Sequence, residues 1–254
     1  MSGFSYYIDL IITLTQKEIK VKYKSSILGY LWSVLHPLSM ALVFYFAFKF
    51  VLKVPIENFT LYLITGLFPW QWFSNSVASS SVSLLANASL IKKVNFPRYF
   101  IPLSNVLNDA VHYILSLPVI VAFALFYKIS PTLEWIYGIP LIMLSQFLIT
   151  YGLALIVSSL NLFFRDLERL VTIFLNILFY ATPIIYTSEL IPDNIKPYMF
   201  LNPMFSIIEA WHTLFLKGYI SWYHLAISLF EGLIIFVIGF FTFQKLSWRF
   251  AEVI

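Results

Sequence analysis

The charged residues of this chain leave long gaps. No Asp, Glu, Lys or Arg occurs from Ser25 to Phe48, from Asn58 to Ile91, from Ala110 to Tyr127, from Trp135 to Phe164 or from Leu170 to Ser188. A sixth window, Gly218 to Gln244, is broken only by Glu231. About 20 mostly apolar residues carry a helix across the ~30 Å hydrocarbon core of a bilayer. The windows therefore predict six transmembrane helices, at about 33–53, 59–83, 105–127, 136–161, 170–187 and 223–244. Composition excludes a water-soluble fold: 60% of the 254 residues are hydrophobic and 11% charged, against about 25% charged in a soluble domain. Aromatics at 19% suit belts of amphipathic rings at headgroup level. The predicted class is an all-α integral membrane protein.

What is missing narrows the chemistry. The chain has no cysteine, which excludes disulfides, thiolate metal sites and a Cys nucleophile. Its four histidines, His36, His112, His212 and His224, are scattered, and no His/Glu pair stands out as a metal site. None of the eight glycines is followed by Lys-Ser or Lys-Thr, so the phosphate-cradling loop G-x-x-x-x-G-K-[ST] does not occur. Energy for any work comes from elsewhere. The net charge of +4 is accounted for as a topology signal rather than a nucleic-acid surface. No cleavable signal peptide is expected, since the first apolar patch, YYIDLIITL, contains Asp9 and follows no positive charge.

Six spans put both termini on one side. With the N-terminus inside, the inner segments hold Lys17, Lys20, Lys22, Lys24, Lys92, Lys93, Arg98, Arg165, Arg169, Lys245 and Arg249, which is 11 of the 16 cations. The outer side keeps Lys49, Lys53, Lys128, Lys196 and Lys217. The positive-inside rule then places both termini in the cytoplasm.

Three inner segments carry nine of the 16 cations. In residues 1–28, Ile8, Ile12, Ile19 and Tyr23 fall within a roughly 60° arc at helical spacing, with Lys17, Lys20 and Lys24 opposite. That is the pattern of a helix lying in the headgroup plane, serving as a topology signal and lipid anchor or as a docking surface. The second inner loop, SLIKKVNFPRYFIPLS, sets Lys92, Lys93 and Arg98 around Phe96 and Pro97. Pro97 and Pro102 are expected to interrupt any continuous helix, leaving a short helix between two spans. This loop reads either as a plain positive loop or as a knob for another protein. The third, NLFFRDLERL, mixes Arg165, Asp166, Glu168 and Arg169 at helical spacing, which suits helix initiation and partner contact equally.

Inside the second span, Ser76, Ser79, Ser80, Ser83 and Asn87 share one helical face. Such a face either allows close helix packing or forms the polar wall of a conduit. Asp109 and Glu231 stand in or near spans, where a charge needs a partner or water; His112 is a candidate partner for Asp109. In the outer segment 189–220, Met204, Ile207, Ile208, Trp211, Leu214 and Phe215 recur at helical spacing over a stretch too short to span. It reads as a re-entrant or surface-lying hairpin. Glu209 and His212, three residues apart, are its one tempting pair.

Five motifs in order resemble ABC-2 type exporter subunits for bacterial polysaccharides, O-antigen exporters most of all. KEIKVKYKSSILGYLWSVLHPL resembles the charged start of the first span, and LIKKVNFPRYFIPLS the loop with a Phe-Pro-Arg core. FFRDLERL with TPIIY, LNPM and the terminal RFAEVI complete the match over nearly the whole chain. The resemblance implies one transmembrane domain over residues 1–254, with an interface helix at 1–28, a bundle at 33–245 and the re-entrant segment at 189–220. It also implies a homodimer in the bacterial inner membrane, paired with two copies of a separate cytosolic ATPase that holds the ATP and Mg. No cofactor and no catalytic residue is implied on this chain. The implied ATPase-docking residues are Lys17, Glu18, Lys20, Lys22 and Lys24, then Lys92, Lys93, Phe96, Pro97 and Arg98 as a coupling helix, then Arg165, Asp166, Glu168 and Arg169. Conduit candidates are Ser76, Ser80, Ser83, Asn87, Glu209, Trp211 and His212, the last standing where the family pattern leads one to expect Arg. The implied cargo is an undecaprenyl-linked polysaccharide. Two other readings stay open: an ABC-2 exporter of a different cargo, such as teichoic acid, capsule polymer, drug or lipid, and an intramembrane transferase of lipid-linked sugars.

Overall fold

The computed structural model of the chain describes residues 3–23, 26, 28–51, 53 and 56–253, and every element among them is helical. In chain order these are α1 (Gly3–Tyr23), α2 (Trp32–Phe44), α3 (Phe59–Ala86), α4 (Ala88–Lys93), α5 (Phe100–Phe126) and α6 (Leu133–Asn161). Then follow α7 (Leu167–Tyr180), α8 (Lys196–Met199), α9 (Pro203–His212), α10 (Trp222–Ser247) and α11 (Phe250–Val253). Wider π-helical turns extend α2 over Tyr45–Val51 and α9 over Thr213–Lys217.

A helix lies over each apolar window. Among the described residues, Val34–Val51, Phe100–Phe126, Leu133–Asn161 and Trp222–Ser247 are both long and apolar enough to cross a bilayer. The other two windows fail on different grounds. The 28 residues of α3 reach about 42 Å, but serines, Gln71 and Asn75 dilute their hydropathy. The 14 residues of α7 reach only about 21 Å. α7 stops at Tyr180 rather than near 187 because Pro183 has no N–H to give the preceding turn and disfavours helix at the residue before it.

Pro102 corrects a second expectation. It does not interrupt helix, since α5 begins at Phe100 and Pro102 falls in the first turn. N–H groups have no intrahelical partner there in any case. Pro97 does separate α4 from α5.

α3 is central, packing against α2, α5, α6, α7 and α9. The tightest pairing is between α6 and α10, where glycines let backbones approach. A Cβ on Gly152 would stand 2.7 Å from the backbone of Ile235, and one on Gly239 would strike the backbone of Gly152. Two turns away, Ser145 Oγ donates to Ser228 Oγ at 2.8 Å across the same seam. Contacts this close between membrane helices require small residues.

α9 is packed inside the bundle, not laid on its surface. Met204, Ile207, Ile208, Trp211, Leu214 and Phe215 are all fully buried. The start of α9 is fixed by Asn202, whose side chain accepts from the Met204 N–H at 3.0 Å while Pro203 occupies the first turn. Asn202 Nδ2 also donates to Thr182 Oγ1 at 2.9 Å, so the LNPM and TPIIY motifs meet. Asn202→Ala removes this cap and the link to α7 together. It is expected to cost about 1–2 kcal/mol, visible as a lower melting temperature of the purified chain; an unchanged melt would show the cap to be unimportant.

A second cluster of buried apolar residues lies at the end that carries α1, α4 and α11: Leu14, Leu84, Ile91, Phe96, Leu162 and Phe250 among them. It joins all three charged segments. α1 packs there through Leu14, with Leu10 and Ile11 partly buried. The Ile8 and Ile12 face stays exposed, as a helix resting on lipid requires.

Candidate functional site

The sequence offered one polar face of α3 as a candidate for function, and folding buries all of it but Ser79. Ser76, Ser80, Ser83 and Asn87 point into the bundle and are buried. Ser76 Oγ donates to Asp109 Oδ2 at 3.2 Å, and Asn108 Nδ2 donates to Asp109 Oδ1 at 3.2 Å. Ser83 Oγ donates to the Ser80 carbonyl, and Asn87 Nδ2 to the Ser83 carbonyl, each at 2.8 Å. Hydroxyls bonded this way serve close packing.

The polar stripe left uncovered is its neighbour: Asn75 and Ser79 are exposed, and Gln71 and Ser74 half-buried. Gln71, Asn75 and Ser79 have the same four-residue spacing as the serine face, and that recurrence was the available signal. Two cavities flank this stripe. One, of about 370 Å³, is lined by Trp32, His36, Gln71, Trp72, Asn75, Asp109, His112 and Tyr113 among others. The other, of about 350 Å³, shares His36, Gln71 and Asn75 with it and adds Trp70, Asn176, Phe179 and Tyr180. The Gln71 amide donates to His36 Nδ1 at 3.2 Å between them. Amides and imidazoles beside flat rings suit polyhydroxylated ligands, with rings against C–H faces and amides for hydroxyls. They fit lipid tails poorly, because an unmatched polar group in an apolar medium is costly.

The remaining conduit candidates lie on or beside a third cavity of about 510 Å³, lined by Tyr62, Thr187, Ser188, Glu189, Glu209, His212 and Lys217 among others. Burial pushes the Glu209 carboxyl up, while a hydrogen bond from Ser188 and the charge of Lys217 pull it back. His212 donates Nε2 to the Tyr62 carbonyl at 3.1 Å rather than to Glu209, and its ring stacks on Tyr62 with centroids 3.9 Å apart. Burial pushes the His212 imidazole down to about 3, so the ring is neutral and supplies no standing charge. Trp211 lines no such cavity. It is fully buried, and its Nε1 donates to Gln146 Oε1 at 2.9 Å while Gln146 Nε2 donates to the Pro69 carbonyl at 2.8 Å. These residues hold α9 in place. Tyr62, which the sequence did not single out, donates its hydroxyl to the carbonyls of Pro183 at 2.8 Å and Tyr186 at 2.5 Å. The segment after α7 is thereby tied to α3. Glu231, on α10, is half-buried with Oε2 unpaired among the described residues.

At the opposite end, Lys92 and Lys93 are exposed in the last turn of α4. Arg165, Asp166, Glu168 and Arg169 are exposed around the start of α7 and form no ion pair among the described residues. The Glu168 N–H donates to Asn161 Oδ1 at 3.1 Å, which caps that start. Lys17 Nζ donates to Asn87 Oδ1 at 2.5 Å and pairs with Glu18 at 3.1 Å, which fastens α1 to the α3–α4 junction. Glu18 is half-buried and Lys20 exposed. The side chain of Lys22 and all of Lys24 lie outside the described residues. Within the coupling loop the docking set divides: Phe96 is buried in the second cluster, Pro97 is half-buried, and Arg98 turns inward to donate Nη1 to the Ser247 carbonyl.

Comparison with known proteins agrees with this architecture. The model of the ABC-2 type transporter family matches residues 9–216. An O-antigen export system permease protein of Klebsiella pneumoniae is 48% identical over 252 residues, covering 99% of this chain and 97% of the relative. A permease of the same description from Myxococcus xanthus is 34% identical over 82% of this chain and 81% of its own length. The polysialic acid transport protein KpsM of Escherichia coli is 25% identical over 87% and 86%. With a family match across most of its length and apolar helices long enough to cross a bilayer, the chain belongs to the ABC-2 type transporter family and is a multi-pass membrane protein.

Proposed function

We propose that this chain is the transmembrane subunit of an ATP-driven exporter that moves a lipid-linked, O-antigen-like polysaccharide outward across the bacterial inner membrane. The observation that carries the reading is the uncovered polar stripe of Gln71, Asn75 and Ser79, flanked by two aromatic-lined cavities. A membrane helix does not turn amides toward lipid. A second copy of the chain facing this stripe would enclose it as a wet conduit. Many weak contacts with rings and amides then let a polymer slide without being held. The names of the full-length relatives support polysaccharide as the cargo.

In this reading α3 and the α7 segment complete six spans, and the 189–220 segment is re-entrant, with α9 closing the outer end. Both termini are cytoplasmic. A separate ATPase, present in two copies, binds the end that carries α1, α4 and the start of α7, because this chain has no phosphate-cradling loop of its own. Lys92 and Lys93 with Arg165, Asp166, Glu168 and Arg169 form the docking face; Lys17 and Asn87 keep α1 beside it.

The test is complementation in a strain that lacks this gene but keeps the partner ATPase and the glycosyltransferases. Wild type is expected to restore polymer at the cell surface. A Gln71→Leu, Asn75→Leu double variant, whose changes leave the buried core untouched, is expected to accumulate to normal levels yet export several-fold less. Normal surface polymer without the chain, or full export by the double variant, would sink the reading.

A further inference from the structure

The inward turn of Arg98 leaves a cavity of about 330 Å³ between the coupling loop and the end of α10, lined by Asn95, Arg98, Tyr99, Phe243, Ser247 and Trp248 among others. Among the described residues no Asp or Glu lines it. A guanidinium presents five N–H donors, and the Ser247 carbonyl accepts from Nη1 only. Among the described residues Arg98 makes no ion pair. Among the described residues the cavity is thus a cationic pocket with donors to spare and no internal counter-ion.

Its depth says what kind of anion reaches it. The 26 residues of α10 extend about 39 Å, beyond the ~30 Å hydrocarbon core. The last turn carries Gln244, Lys245 and Ser247, and these polar and charged side chains place that end at headgroup level. Phe243, one residue earlier, is buried, and Trp248 is exposed with the Arg249 guanidinium 5.7 Å from its ring. Tyr99 and Trp248 are amphipathic rings of the kind that settle at the interface. A pocket at this level, basic, aromatic-edged and within the ~300–1,000 Å³ of ordinary ligand sites, matches a phospholipid headgroup. With a guanidinium and no carboxylate among its described lining residues, it gives a choline or ethanolamine ammonium no anionic partner.

We propose that the Arg98–Trp248 pocket binds the phosphate of an anionic phospholipid such as phosphatidylglycerol, tying the coupling loop to the end of the last span through a lipid. The inference depends on neither the cargo nor the ATPase.

Native mass spectrometry of the purified full chain, titrated with phosphatidylglycerol or phosphatidylcholine, tests it. The first phosphatidylglycerol is expected to bind at least about fivefold tighter than phosphatidylcholine. Arg98→Gln should abolish that preference and Arg98→Lys retain part of it. Because Arg98 also caps α10, Gln244→Glu provides a variant that leaves this bond in place. Gln244 lines the pocket and is exposed, so a carboxylate there should repel the phosphate and lower the preference about fivefold without loss of fold. Equal binding of the two lipids by wild type, or an unchanged preference in Gln244→Glu, overturns the proposal. Displacement of the lipid by inorganic phosphate would make this a site for soluble phosphate and overturn the lipid assignment. Loss of polymer export in the complementation experiment would leave the lipid result standing.

Discussion

Gly152→Val is expected to separate α6 from α10 and to remove most folded chain from the membrane. A Cβ at this position meets the carbonyl carbon and oxygen of Ile235 at 2.7 Å. Those are backbone atoms, so no rotamer change relieves the overlap. Overpacking of side chains costs roughly 1–3 kcal/mol, and a clash between two helix backbones belongs at or beyond the top of that range. The loss also breaks the Ser145–Ser228 hydrogen bond on the same seam. Gly239→Ala should behave alike, since its Cβ would strike the Gly152 backbone from the other side. The check is the fraction of monodisperse chain after detergent extraction, with its melting temperature, against Ile238→Val on the exposed face of α10. A melt within about two degrees of wild type for Gly152→Val would mean that the two helices do not pack as described.

Charge reversal at Lys92 and Lys93 is expected to leave the permease folded and abolish its work. Both side chains are exposed, and substitutions at such sites seldom change stability by more than about 0.5 kcal/mol. If the two cations face an acidic groove on the ATPase, Lys92→Glu with Lys93→Glu turns attraction into repulsion, which costs several kcal/mol at an interface. Co-elution with the ATPase and stimulated ATP turnover should both fall at least about tenfold. Higher salt should weaken the wild-type complex in the same direction. An intact complex with normal turnover would remove α4 from the docking face. Adding Arg98 to the reversal would blur this result, since its guanidinium holds the end of α10.

The two predictions differ in how far each was legible in the sequence. Lys92 and Lys93 stand out in a chain with few charges, between two windows without any, so a basic loop is visible from that alone, and its coupling role is what the family resemblance implies. Gly152 and Gly239 look like any glycines in a membrane span. Their importance comes from lying opposite one another on helices far apart in the chain. The serine face of α3 was legible as a face, since period 3.6 survives in any helix; which side faced inward was not. Ser76 and Ser83 lie inside because α5, α6 and α9 occupy that side, leaving Gln71 and Asn75 on the open side. The inward turn of Arg98 was not legible for a similar reason. Charge and position suggested a surface contact, but a carbonyl at the end of α10 was close enough to take it. The stop of α7 at Tyr180 was readable from Pro183, and the place of Pro102 in a first turn required knowing where α5 begins.

The sequence by itself determined that this chain is a helical membrane protein. Its charge-free windows leave hydrocarbon as their solvent, and a helix satisfies each backbone group locally. Its lysine and arginine asymmetry sets an expected orientation, and it holds no G-x-x-x-x-G-K-[ST] loop. Tertiary structure alone decided which polar groups are used up in packing and which remain open. It buried α9, turned Arg98 inward, joined Asn202 to Thr182 and left Asn75 exposed beside a half-buried Gln71. The reason is that helix formation and insertion depend on residues near in sequence, whereas burial and pairing depend on which distant surfaces meet.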